Sequence, residues 1–138
     1  MNWKIVFQLS ISFGLIMAFA TVKLIPERVE PFFWLFIFAF CAWVIAKACP
    51  GRYFLHGFLV SMVNSVWITA VHVIFRQTYV AHHPQVASMF TNMPPSLLRH
   101  PKLTMMVMGP IFGAGFGIIL GLFSFIASKI VKKTPVAG

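Results

Sequence analysis

Four long apolar segments, separated by charged or turn-forming residues, constrain this chain more than any other feature. They cover residues 5–22, 31–46, 53–75 and 103–130. A helix needs about 20 residues to cross the hydrocarbon of a bilayer, and 138 residues are too few to bury this much apolar surface in a water-soluble core. Because an isolated strand leaves its backbone groups unpaired in lipid, we predict that all four segments are membrane-spanning helices.

The composition fits this class, since 59% of the residues are hydrophobic and only 9% are charged, against about 25% charged in soluble domains. We therefore expect an all-α integral membrane protein that forms a single domain over 1–138, an antiparallel bundle of four helices. With their flanking residues the expected spans are about 4–24, 31–48, 53–76 and 103–131. The loop between the third and fourth spans, 77–102, is longer than usual, and its residues 84–91 can form a short interfacial helix.

The net charge of +9 does not indicate a nucleic-acid partner, because the basic residues lie at span ends and in loops, where lipid headgroups favour them. On the side of the N-terminus lie Lys4, Lys47, Arg52, Lys129, Lys132 and Lys133. On the opposite side lie Lys23, Arg28, Arg76, Arg99 and Lys102. This small excess predicts both termini in the cytoplasm, with a bacterial inner membrane as the expected location.

Glycine recurs at every fourth residue of the fourth span, at Gly109, Gly113, Gly117 and Gly121, a set that we call the glycine row. Helices in lipid associate through close backbone contact, which small residues permit. A matching small surface exists on the first span, at Ser10, Gly14 and Ala18, and another on the second, at Ala39, Ala42 and Ala46. The row therefore predicts a packing surface, either for a neighbour within the chain or for another subunit.

Polar residues follow one face of the third span, and we call them the polar stripe: Ser61, Asn64, Ser65, Thr69, His72 and Arg76. Such a face must point into the bundle or into an aqueous cavity. Gln8 and Ser12 of the first span are candidate hydrogen-bond partners. In one interpretation the stripe holds helices together; in another it lines a binding site or path with His72 and Arg76 at its mouth; in a third His72 is a metal or haem ligand.

The remaining motifs are weak. His82, His83 and His100 could gather with His72 on one side of the membrane, but no HExxH or CxxC spacing accompanies them. The chain has no Asp, and its two carboxylates, Glu27 and Glu30, lie outside the spans. This disfavours a carboxylate-driven exchanger, and no P-loop or GxSxG motif occurs. We therefore assign no cofactor, no resident metal and no catalytic residue.

These observations favour a small multi-pass membrane protein without catalytic machinery, whose partners are the bilayer and either a second copy or another membrane protein. It would act through helix packing as an accessory or oligomer-forming subunit. The alternative is a small transporter or channel that uses the polar stripe, and a second alternative is a membrane protein with a histidine-bound metal or haem.

Overall fold

The computed structural model describes residues 1–133, and within that range all regular structure is helical. Four helices are long and apolar enough to cross a membrane: α1 (Trp3–Lys23), α2 (Glu30–Ala48), α3 (Tyr53–Ile74) and α7 (Pro101–Ile130). Their ends lie within two residues of the predicted limits. Three short helices connect α3 to α7: α4 (Arg76–Ala81), α5 (Pro84–Thr91) and α6 (Pro95–Leu98).

Proline marks where several of these helices begin. Pro31, Pro84, Pro95 and Pro101 each lie in the first turn of a helix, where the missing N–H breaks no helical hydrogen bond and the fixed φ suits the helix. The turn between α2 and α3 ends at Arg52, which has a left-handed φ of 51°. The long loop is therefore largely helical, and α5 covers the residues in which a short helix was expected.

α1 contains a π-helical segment, which the sequence did not predict. Its central residues, Ser10–Gly14, form a π-helical segment between α-helical residues Trp3–Leu9 and Leu15–Lys23. Gly14 ends this segment and faces Asn64 of α3: a methyl group placed on Gly14 would lie 2.7 Å from Asn64 Oδ1. A π segment widens the helix locally and is uncommon, and here it coincides with the close approach of Gly14 to Asn64 of α3.

The closest contact in the fold joins α3 to α7, and the glycine row lies in it. Gly109 faces Thr69, Gly113 faces Ser65, Gly117 faces Phe58 and Gly121 faces Phe54. From the opposing helix, Gly57 lies against the backbone of α7, because a methyl group there would lie 2.6 Å from Leu120 O. Small residues on both helices therefore let the two backbones approach each other.

The first span, one of the two candidate partners of the glycine row, does not cover that row, because the row faces α3. The small surface of α1 faces α3, as the glycine row does: Gly14 contacts Asn64, and Ala18 packs with Val71. Ser10 is also fully buried, and its hydroxyl donates to its own helix at Val6 O. α3 thus lies between the small-residue surface of α1 and that of α7.

The hydrophobic core joins residues of all four long helices, including Val6 of α1, Ile45 of α2, Val60 of α3 and Leu120 of α7, each fully buried. Phe38 of α2 meets Phe116 of α7 edge to face, with ring centroids 6.1 Å apart. The loop after α1 and the turn after α2 are short, so helices that follow each other in the sequence lie close together.

We expect Gly57→Ala to destabilise the fold, because the new methyl group would meet the backbone of Leu120, which cannot rotate away. Overpacking of this kind costs about 1–3 kcal/mol, more than alanine gains over glycine in a helix, about 1 kcal/mol. Thermal or denaturant unfolding in detergent micelles measures the difference.

The matched control is Gly115→Ala in α7, where an added methyl group meets no atom within 4 Å in the described structure. This variant should be as stable as the unsubstituted protein or slightly more stable. Equal stability of the two variants would contradict the close contact of α3 with α7.

Candidate functional site

The polar stripe of α3 faces the glycine row through its hydroxyl groups. Ser61 Oγ donates to Gly113 O of α7 at 3.0 Å. Ser65 Oγ donates within its own helix to Met62 O at 2.7 Å, and its side chain lies over Gly113. Thr69 lies in the same way against Gly109. These hydroxyls are thus in contact with a neighbouring helix and do not line an open space.

Asn64 lies on the other side of the stripe and faces α1. It is 3% exposed, and its Oδ1 has no hydrogen-bond partner among residues 1–133. The expected partners, Gln8 and Ser12, are not near it: both are exposed on the outer surface of α1. That part of the prediction is wrong, because Ser10 and Gly14, and not Gln8 and Ser12, occupy the face that α1 turns inward.

A second polar group, which we call the histidine cluster, lies where α3 ends: Thr21, Glu30, His72, Tyr79 and His83. His72 Nε2 lies 2.8 Å from Thr21 Oγ1. The Thr21 hydroxyl already donates to Met17 O at 2.7 Å, so its oxygen accepts and His72 Nε2–H donates. This contact fixes the tautomer of His72 and joins α3 to α1.

Tyr79 of α4 lies between two imidazole rings. It stacks on His72 with ring centroids 3.8 Å apart and planes 18° apart, and it contacts His83 at 4.1 Å. Burial raises the pKa of the Tyr79 phenol, and the negative charges of Glu30 and Glu27 raise it further. Tyr79 is therefore held as a neutral phenol in the centre of the cluster.

His83 completes the cluster and is 1% exposed. Its Nδ1–H donates to Tyr79 O at 2.8 Å, because a carbonyl oxygen only accepts. Its Nε2 lies 3.2 Å from Glu30 Oε2, and Trp34 Nε1–H donates to Glu30 Oε1 at 3.1 Å. The contact between His83 and Glu30 joins the residue before α5 to the first turn of α2.

The remaining member of the polar stripe, Arg76, does not join His72 at a common mouth. It belongs to α4, its guanidinium lies over the ring of Phe90 at 5.3 Å, and its Nε has no partner among residues 1–133. His72 meanwhile is bonded to Thr21. The two side chains therefore do not form the shared mouth of a binding site or path that was one interpretation of the polar stripe.

The three histidines considered as weak metal candidates are also kept apart. His83 is paired with Glu30, whereas His82 is exposed and donates from Nδ1 to Thr78 O at 2.8 Å. His100 is exposed before α7. Over residues 1–133 no group of three or more His, Cys, Asp or Glu side chains is arranged to hold a metal ion.

Thr21 and Tyr79 of the cluster were not singled out as site residues from the sequence, and neither was Trp34, which donates to Glu30. Trp34 follows Glu30, and His83 follows Tyr79, by four residues, a spacing that places both pairs on one helical face. Those spacings were a usable signal, but the meeting of Glu30 with His83 depends on tertiary structure. His56, fully buried in α3, was also missed: its Nε2 accepts the Asn2 backbone N–H at 2.9 Å and its Nδ1–H donates to Arg52 O.

No protein-family model matches the chain, and no curated protein or solved structure is similar to it. The argument for its function therefore depends on the contacts described above.

We expect His83→Ala to loosen the loop between α3 and α7, because the substitution leaves Glu30 without its buried partner and removes one side of the Tyr79 contact. The net loss is about 0.5–1.5 kcal/mol, the value of one hydrogen bond, because the Glu30 side chain is 21% exposed and keeps Trp34 Nε1–H as a donor. Faster amide hydrogen exchange over residues 76–92 in detergent or nanodiscs would report the change.

The matched control is the adjacent His82→Ala. His82 makes the same local bond from Nδ1 to the carbonyl four residues earlier, but it is exposed and contacts neither Glu30 nor Tyr79. Exchange over 76–92 should be close to that of the unsubstituted protein, and equal loosening in both variants would contradict a role for the cluster.

In a Tyr53→Phe variant, where Tyr79 is the single tyrosine, we expect tyrosinate absorbance to develop well above the ordinary pKa of about 10. Unfolding should restore the ordinary titration. Because the unfolded state then loses a proton that the native state keeps, the free energy of unfolding should fall as pH rises above about 10. A normal titration of the folded protein would show that Tyr79 is solvated.

Proposed function

We propose that the four long helices cross a bilayer as an antiparallel bundle and that the chain is a non-catalytic accessory or oligomer-forming subunit. The outward surface supports insertion. Phe32, Phe36, Ile74 and Ile130 are each more than 70% exposed, and exposed aromatic and aliphatic surface of this extent is rare on soluble proteins. The balance of basic residues supports both termini on the cytoplasmic side of a bacterial inner membrane.

The proposal depends mainly on one observation: side chains of the polar stripe contact other helices of the same chain. Ser61 is bonded to α7, Thr69 faces Gly109, and His72 is bonded to α1. Polar side chains placed between helices in this way hold a bundle together, whereas a transport path through the stripe would require α3 to separate from α7. These contacts therefore favour a packed scaffold over a channel.

One surface depression supports the same interpretation. It has a volume of about 580 Å³ and lies beside the start of α1, away from the polar stripe. Its lining residues are Met1, Asn2, Trp3, Pro50, Gly51, Arg52 and His56. No member of the polar stripe or of the glycine row contributes to it.

The fold also changes which surface such a subunit would use. The glycine row was the expected contact with a partner, but α3 of the same chain already covers it. Association with another subunit must therefore use an outward-facing surface of the bundle.

We expect the purified protein, released from lipid nanodiscs or mild detergent into a mass spectrometer, to appear as a complex heavier than one chain. The mass identifies whether the added component is a second copy or a different membrane protein. The proposal would be contradicted by a chain that stays single in a bilayer at a high protein-to-lipid ratio while circular dichroism shows the helices intact.

A further inference from the structure

The outward surface of α1 carries two polar side chains that the fold leaves without partners. Gln8 and Ser12 are exposed, and neither makes a side-chain hydrogen bond within residues 1–133. Among the Ser, Thr, Asn and Gln side chains of the four long helices, these two alone are exposed. Other hydroxyls in these helices, those of Ser10, Thr21, Ser61, Ser124 and Ser128, donate to backbone carbonyls.

Their depth makes this exposure costly in a membrane. Ser12 is nine residues past Trp3 in a helix of 21 residues, which places it about 14 Å along the helix and close to the bilayer centre, with Gln8 one turn nearer the surface. Hydrocarbon offers no hydrogen bonds, so an unpaired amide there costs several kcal/mol. Phe7 and Ile11, 46% and 44% exposed, flank the two polar side chains with apolar surface.

We propose that this face of α1, formed by Phe7, Gln8, Ile11 and Ser12, is the contact between two copies of the chain. The inference rests on the proposed function, since it names the surface and the partner of an oligomer-forming subunit. Each copy buries in the other the polar groups that its own fold leaves in lipid.

The chemistry of the two side chains favours a second copy as the occupant. A primary amide carries both donors and an acceptor, and a hydroxyl carries one donor and an acceptor, so each can pair with its own kind. Copies inserted in the same orientation are related by a two-fold axis along the membrane normal. That axis places Gln8 opposite Gln8 and Ser12 opposite Ser12, and both pairs can then form hydrogen bonds across the contact.

The charge on this face does not oppose the contact. Lys4 lies one turn before Gln8, near the start of α1. Its flexible stem lets the ammonium group reach water and lipid headgroups, where the charge is screened.

The first test is disulfide cross-linking in lipid vesicles that contain only this protein. Ser12→Cys should form covalent dimers on oxidation. Ile118→Cys, whose side chain is 51% exposed on α7, should form markedly fewer. The unsubstituted protein measures the background, because its two cysteines, Cys41 and Cys49, are buried. Equal cross-linking at positions 12 and 118 would overturn the proposal.

The second test measures association by energy transfer between labelled copies as they are diluted with lipid. Gln8→Leu with Ser12→Ala should weaken dimerisation about 3- to 20-fold, the range expected for loss of hydrogen bonds between helices in a membrane. Ser128→Ala is the control, because that hydroxyl already donates to Phe125 O. Since Gln8 and Ser12 have no side-chain hydrogen bond within residues 1–133, the stability of the single subunit should not change.

The outcomes separate this inference from the proposed function. Dimers that persist in the double variant, or a complex that contains only a different membrane protein, would overturn the α1 contact and leave the subunit function standing. A chain that remains single in vesicles would overturn the α1 contact, and a purified protein that also carries no added component in the mass spectrometer would overturn both.

Discussion

Gly57 and the glycine row let the backbones of α3 and α7 approach closely, and the rest of the fold is arranged around that contact. In lipid the apolar surroundings provide little force for association, so stability depends on close packing and on hydrogen bonds between helices. The absence of side chains at these positions brings Ser61 Oγ within reach of a backbone carbonyl of α7. α3 then turns its other side to α1 and forms the centre of the fold.

Sequence reasoning predicted the extent of the four long helices, because length and apolarity are properties of each segment alone. It also identified the glycine row as a packing surface. It did not find the partner of that row, since regular spacing on one helix shows that a neighbour comes close but not which neighbour. Gly57, with Ser61 and Ser65 following at spacing four, was the complementary surface, but it was interpreted only as part of a polar face.

The histidine cluster lay beyond sequence reasoning for a different reason. Its members come from α1, α2, α3, α4 and the residue before α5, so no local pattern contains them together. Glu30 and His83 are 53 residues apart. Their pairing joins the start of α2 to the long loop, while Tyr79 and His72 join the same loop to the end of α3 and, through Thr21, to α1. Side-chain contacts of the histidine cluster thus connect the helices at the end of α3. The contact between α3 and α7 depends instead on how closely their two backbones approach each other.

The position of α7 at the end of the chain affects how the protein can be made. Ser61 and Gly113 are 52 residues apart, so α3 is synthesised well before the helix that covers its glycine-facing side. During that interval the side of α3 that carries Ser61 and Ser65 lacks its neighbour α7. A chain that stopped before residue 109 would lack the helix that covers Ser61 and Ser65 of α3, and an unfinished fold of this kind is a suitable target for cellular quality control.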